Sequence, residues 1–241
     1  LQIAMSEDPE IKALSDDAVN IAYDSYMKAK ELDEKGRFIT EINNNLKVIA
    51  QEFYRTGVDK FNQKDFLGAA KYLEKTYKVS EDFGILDSAS AYYTAFAYQA
   101  GKDYENAKKY YHMLIEAGYK KPVMYASLAD IYKAEKDTTA ALEIIEDGRE
   151  KFPRNFDLLI AETNIYLNRG DTKNALDNLE AALEQDTTNP SIYFAIGTNY
   201  ENLEKYDKAE NAYKQAIRLN PEYFDAYYNL GALNVNRAAA I

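Results

Sequence analysis

The sequence predicts an all-α fold, a solenoid of stacked antiparallel helix pairs. Tyr98, Tyr132, Tyr166 and Tyr200 recur every 34 residues, and Ala107, Ala141, Ala175 and Ala209 keep the same interval nine residues behind them. Between these marks the apolar residues fall at three- and four-residue spacing in two stripes separated by a short polar break, the signature of two amphipathic helices and a turn. The composition agrees: 46% hydrophobic residues with 22 Tyr and 10 Phe supply a core that 29% charge does not dilute into disorder.

Taken in order, residues 1–49 read as an incomplete first repeat plus a connecting helix. Ala22, Tyr26, Ala29 and Leu32 mark a second helix, with Ser6, Glu7, Asp8 and Pro9 in an enlarged turn before it. Phe38 to Ile49 reads as a further helix, with Thr40 as its cap, running into the repeat at 50–87 without a break. The step from Ala69 to Ala107 is 38, so four extra residues are expected in the loop near Glu81–Leu86. Repeats follow at 88–121, 122–155, 156–189 and 190–223. In 122–155, Tyr125, Leu128, Ala129 and Tyr132 form one stripe, Glu135, Lys136 and Asp137 interrupt it, and Ala141, Leu142, Ile144 and Ile145 form the second. In 190–223, Asn189 caps the first helix with Pro190 at its first position, and Asn220 and Pro221 end the second. A partial repeat, 224–241, starts with Tyr227, Leu230 and Gly231. Lys60 and Asn234 replace the periodic Tyr at the two ends, and neither end carries a polar capping helix. Self-association through uncapped ends, and a longer natural chain, are therefore expected.

Small residues recur midway along each first helix at Gly57, Ala95, Ala129, Thr163, Gly197 and Gly231. Others recur early in each second helix at Ala69, Ala107, Ala141, Ala175 and Ala209, followed four residues on by Leu73, Tyr111, Ile145, Leu179 and Tyr213. In this small–bulky code the chain resembles the tetratricopeptide repeat family. The resemblance implies a right-handed superhelix whose concave groove holds extended peptides or partner helices. In its cysteine-free, Lys- and Tyr-rich style the chain also resembles bacterial envelope repeat proteins of Bacteroidetes type, which points to the periplasm or cell envelope, with the cytoplasm as the alternative.

The charge balance, 29 Lys plus Arg against 40 Asp plus Glu for a net −11, repels a phosphate backbone and argues against nucleic acid as partner. No apolar run approaches the roughly 18 residues of a membrane-spanning helix. With one histidine, His112, and no cysteine, the usual nucleophile–base–orienter sets cannot be assembled, and no catalytic residue is expected. Carboxylate pairs such as Glu143 with Glu146 and Asp147, or Glu180 with Glu184, share solvated helix faces. Asp33–Gly36 lacks the alternating ligands of a calcium loop, and the ten glycines form no phosphate-binding loop. No metal and no cofactor is expected.

Alongside the periodic tyrosines, a second set on the first helices varies from repeat to repeat. These are Tyr54 and Val58, Tyr92, Tyr93 and Phe96, Asp130, Asn164, Phe194 and Thr198, and Tyr228. In the resemblance these positions line the groove and form the candidate peptide-binding face. The Lys/Asn clamp that grips a terminal carboxylate in some family members is missing, since its positions hold Tyr54, Val58, Tyr93, Val123 and Ser127. Asp130, Asn164 and Arg55 are left as polar anchors, and the expected partner is a protein or peptide that is neutral or basic and partly apolar. The leading function is a non-enzymatic interaction scaffold. The alternatives are a glycan-binding envelope protein, or the regulatory region of a larger protein whose active domain lies outside these residues.

Overall fold

The computed structural model describes residues 15–239, and the side chains of 18–238. Ser6–Pro9, Ala240 and Ile241, where the sequence suggested a turn and a final helix end, lie outside them. Every element among the described residues is a helix, and the chain divides after Lys120 into two compact units.

The first unit holds α1 (Ser15–Leu32), α2 (Ile39–Asn62), α3 (Phe66–Asp82), α4 (Ser88–Ala100) and α5 (Tyr104–Glu116). As expected, the helix beginning near Phe38 runs unbroken through residue 50 into the next repeat. Its N-cap is Phe38, without a side-chain capping bond, rather than the expected Thr40; in the turn before it Asp33 accepts hydrogen bonds from the backbone N–H of Arg37 and Phe38, at 2.9 and 2.8 Å. The carboxylate fixes the turn ahead of α2 by satisfying the N–H of Arg37 and of the N-cap Phe38, and Thr40 lies inside the helix, past the cap position. Leu32, expected to pack, is exposed, whereas Tyr23, Tyr26, Met27 and Ala29 of α1 cover Ile42 and Leu46.

The four extra residues are not in a loop. α3 has 17 residues against 13 in α5, a difference of four, and both are followed by five-residue connections. Four residues make about one helical turn. That turn exists because α2 begins early: Val79 and Phe83, at the end of α3, pack on Ile42, Leu46 and Ala50 in the front half of α2. A longer first helix is thereby matched by a longer second one.

The second unit holds α6 (Pro122–Ala134), α7 (Thr138–Lys151), α8 (Phe156–Asn168), α9 (Thr172–Gln185), α10 (Pro190–Asn202), α11 (Tyr206–Leu219) and α12 (Phe224–Ala239). Asn189 caps α10 through a 3.0 Å bond from the N–H of Ser191, and α11 stops at Asn220.

The turn inside each pair follows one recipe. Its penultimate residue takes the left-handed conformation, at Lys64, Lys102, Lys136, Gly170 and Glu204 with φ of 57–74°. The next residue caps the second helix: Asp65, Asp103, Asp137 and Asp171 each accept from the N–H three positions on. Lys205 stands in the fifth such position and makes no side-chain cap.

Packing follows the small–bulky code. Ala69, Ala107, Ala141, Ala175 and Ala209 are fully buried, as are Tyr111, Ile145, Leu179 and Tyr213, with Leu73 at 2% exposure. A Cβ added at Gly57 would lie 2.8 Å from Leu73, and one at Gly197 would lie 2.5 Å from the Tyr213 ring, so glycine there sets the helix separation. Gly231 differs: nothing lies within 4 Å of its would-be Cβ, because among the described residues α12 has no following helix packed against it. Phe224, Tyr227, Tyr228 and Val235 of α12 are exposed.

Three of the four periodic tyrosines reach a carboxylate on the preceding pair. Tyr98 donates to Glu74 at 2.7 Å and Tyr166 to Glu146 at 3.2 Å, and Tyr200 bonds Glu180. The partner lies 20 residues upstream of Tyr166 and 24 upstream of Tyr98, the difference being the inserted turn.

Candidate functional site

In the first unit, Tyr54 and Val58 lie one turn apart on α2, and Tyr93 and Phe96 lie about one turn apart on α4. The two helices bring them around an open cavity of about 260 Å³, with Leu73 as part of its lining. All four are 37–45% exposed, more than the packing of an interior allows, so the wall is available to a partner. Phe61 completes it, stacking on Phe96 with ring centroids 5.5 Å apart. The sequence reading omitted Phe61, although its position three residues after Val58 on the same helix face was the available signal.

Tyr92 has a different place. It is half-buried behind the wall, parallel to Phe96 at 6.4 Å and edge-on to Tyr93 and Tyr111 at 5.6 and 6.3 Å. It holds the exposed rings in position through aromatic contacts on three sides. Tyr54 meets Tyr93 edge-on at 6.4 Å and also borders a second cavity, of about 540 Å³, beside the extra turn of α3. There Val79, Phe83 and Ile85 provide the apolar surface, and the Lys47 ammonium sits 5.6 Å from the centroid of the Phe83 ring.

In the second unit, Asn164, Phe194 and Thr198 come together around a cavity of about 320 Å³ between α8 and α10. Phe194 is fixed by Tyr213 and Tyr223, at 5.8 and 5.3 Å. Asp130 and Tyr228 do not join them: Asp130 pairs with Lys133 at 2.6 Å, and Tyr228 stacks on Phe224 at 6.2 Å. Arg55 likewise pairs with Glu52 on its own helix, at 2.6 Å. Both charged side chains expected as anchors are thus engaged by neighbours one turn away.

The electrostatics are structural in character. Burial pushes the Glu74 carboxyl up, but hydrogen bonds from Tyr98, Lys78 and Tyr110 outweigh it and hold the group below the usual range. Burial, together with the same carboxylate, drives the Tyr98 and Tyr110 phenols well above theirs. In the second unit Glu162 is buried, which raises its pKa despite the Arg149 guanidinium 3.1 Å away. Arg149 is further tied to Asn178 and the Pro153 carbonyl. Each of these groups is committed to a neighbour across a helix contact. Among the described residues no group of three metal-ligating side chains assembles, and no helix is long and apolar enough to cross a membrane.

Family models for the TPR repeat match residues 200–236, and for the tetratricopeptide repeat residues 89–117. One segment lies in each unit, on the same small–bulky register that the structure buries. The chain carries tetratricopeptide repeats. Solved structures share its fold. One reported as YrrB, "a TPR protein with an unusual peptide-binding site", is 16% identical over 86% of this chain and 98% of its own, with a TM-score of 0.51. A MamA protein is 16% identical over 72% of this chain and 92% of its own, with a TM-score of 0.55. Among curated sequences, the BBSome complex member BBS4 homolog of Drosophila melanogaster is 28% identical over 55% of the repeat protein and 27% of its own length. The repeat protein therefore spans about a quarter of that relative.

Proposed function

We propose that the chain is a non-enzymatic scaffold that binds a partly apolar peptide or partner helix on its exposed first-helix faces. The single observation that carries this reading is the largely aromatic wall of Tyr54, Val58, Phe61, Tyr93 and Phe96, which borders an open cavity. Repeat scaffolds offer extended surfaces of this kind in general. The peptide-binding site named for YrrB supports the mode of binding. A net charge of −11, with no basic side chain in the wall, favours a neutral or basic segment over an acidic one.

The test is photo-crosslinking from position 93 to identify the partner, followed by affinity measurement with Tyr54→Ala and Phe96→Ala. Loss of two anchors of this type should weaken binding at least tenfold with helicity unchanged. Equal affinity in the double variant would remove the wall from the binding surface.

A further inference from the structure

At Gly57 and Gly197 the bulky residue of the second helix, Leu73 or Tyr213, sits against the glycine of the first, 2.8 or 2.5 Å from where a Cβ would stand. In the two pairs that seat a tyrosine, the residue three before the small one adds a ring: Tyr92 lies 6.3 Å from Tyr111 and Phe194 lies 5.8 Å from Tyr213. The residue four after it sets the chemistry. Gln99 accepts from the Tyr111 hydroxyl at 2.8 Å, and Glu201 from that of Tyr213 at 2.7 Å. Where the bulky residue is Leu73, Ile145 or Leu179, that position holds Phe61, Lys133 or Leu167, none of which is an acceptor.

On α12 the same three positions are Tyr228, Gly231 and Val235, and among the described residues no second helix covers them. Tyr228 and Val235 are 67% and 69% exposed, and nothing lies within 4 Å of a Cβ added at Gly231. The chain does not fold back over this seat at the place the other repeats prescribe. The left-handed residue and the cap of the other turns correspond to Ala238 and Ala239, and both are helical. Alanine favours the helix and has no capping oxygen, while Arg237 ties the overrun to Asp207 and Glu210 of α11, at 2.8 Å each. α12 thus reaches 16 residues against 13 in α10, past the turn position.

We propose that α12 is a docking face for an amphipathic helix of a partner protein, one that carries a small residue followed four positions on by Leu or Ile. It lies on α12 as a second helix lies on its first: the small residue lets the backbones approach, and the aliphatic one enters the Gly231 seat as Leu73 does at Gly57. Val235 selects the occupant. A tyrosine there would leave its hydroxyl without the acceptor that Gln99 and Glu201 supply elsewhere. The same feature disfavours a second copy of this chain, whose α1 offers Ala22 followed by Tyr26. Ala69 with Leu73, Ala141 with Ile145 and Ala175 with Leu179 have the required spacing but are already buried in their own pairs.

A peptide of residues 171–185, which carries Ala175 and Leu179, serves as the probe, with its Leu179→Tyr form as the counterpart. Each is titrated into the millimolar range against the 241-residue chain labelled with 15N-glycine, where ten amides report and Gly231→Ala identifies the one at 231. The Leu peptide should shift the Gly231 amide and bind about tenfold more tightly than the Tyr peptide. Val235→Gln, which copies Gln99, should reverse that order, and Gly231→Leu should abolish binding of both with helicity unchanged. Tyr54→Ala with Phe96→Ala should leave the order intact, so this face and the aromatic wall stand or fall separately. No shift at Gly231, equal binding of the two peptides, or an unreversed order in Val235→Gln would each overturn the assignment. Self-association of the native chain that Gly231→Leu removes would also overturn it, because the occupant would then be a second copy.

Discussion

Tyr98 on α4 donates its phenol hydrogen to Glu74 on α3 across 2.7 Å, and Tyr110 on α5 shares the same carboxylate. Three consecutive helices of the first unit meet at one acidic side chain. Glu74→Ala should therefore cost about 1–3 kcal/mol by leaving the hydroxyls of two buried tyrosines without an acceptor, whereas Tyr98→Phe should cost about 1 kcal/mol. Denaturant midpoints of the two variants check the order.

The phenols make the fold sensitive to alkali. Burial, with Glu162 and Glu146 nearby, pushes Tyr166 up to about 12 from 10.0. Burial likewise raises Tyr98, Tyr110 and Tyr213. A raised folded-state pKa contributes stability that is complete below pH 10 and is lost as the pH climbs towards 12. Ultraviolet titration should show these tyrosines ionising late and together with loss of helicity. Early ionisation with helicity retained would contradict the hydrogen-bonded assignment.

Glycine substitutions should split by position. Gly197→Ala drives a methyl into the Tyr213 ring and should destabilise by about 1–3 kcal/mol. Gly231→Ala meets nothing and should stabilise α12 by about 0.5–1 kcal/mol through helix propensity. Thermal melts of the pair suffice.

Among the described residues, Lys205 occupies the one second-helix cap position inside a pair without a capping side chain. Lys205→Asp should supply the missing bond and stabilise by about 1 kcal/mol. An unchanged melting temperature would mean that the cap geometry at α11 differs from that at Asp171.

The Arg149–Glu162 pair should be costly to break from one side. Arg149→Met leaves Glu162 charged and buried, at a cost of about 3–5 kcal/mol near neutral pH. Because burial raises the Glu162 pKa, the deficit should shrink as the pH falls and the carboxyl takes up its proton. A deficit constant from pH 7 to pH 4 would place the loss in packing rather than charge.

The fold was legible because two residue classes alternate in fixed register. Ala69 with Leu73, and Ala141 with Ile145, show helix contact directly in composition and spacing, and the structure buries all four. The place of the inserted turn was not legible: Thr76 to Asp82 contains no helix breaker, so the sequence shows the count of extra residues without showing that α2 needs covering. The aromatic wall was legible at Tyr54, Tyr93 and Phe96, whose side chains change while the core stays constant. Tyr92 was misplaced to the front of it, because a one-residue step along a helix rotates a side chain by about 100°. Asp130 and Arg55 looked like anchors, since sequence alone does not say which charges are quenched by a neighbour one turn away.

The added turn of α3 also says how such a chain can change length. Inserting about one full turn returns every later side chain to nearly its former bearing, so Tyr98 still finds Glu74 although 24 residues rather than 20 separate them. An insertion of two residues would swing the remaining helix by about 200° and uncouple that hydrogen bond. Growth along this edge is therefore quantised, and Val79–Asp82 provides a ready-made unit for deepening the edge of a neighbouring repeat in a designed array.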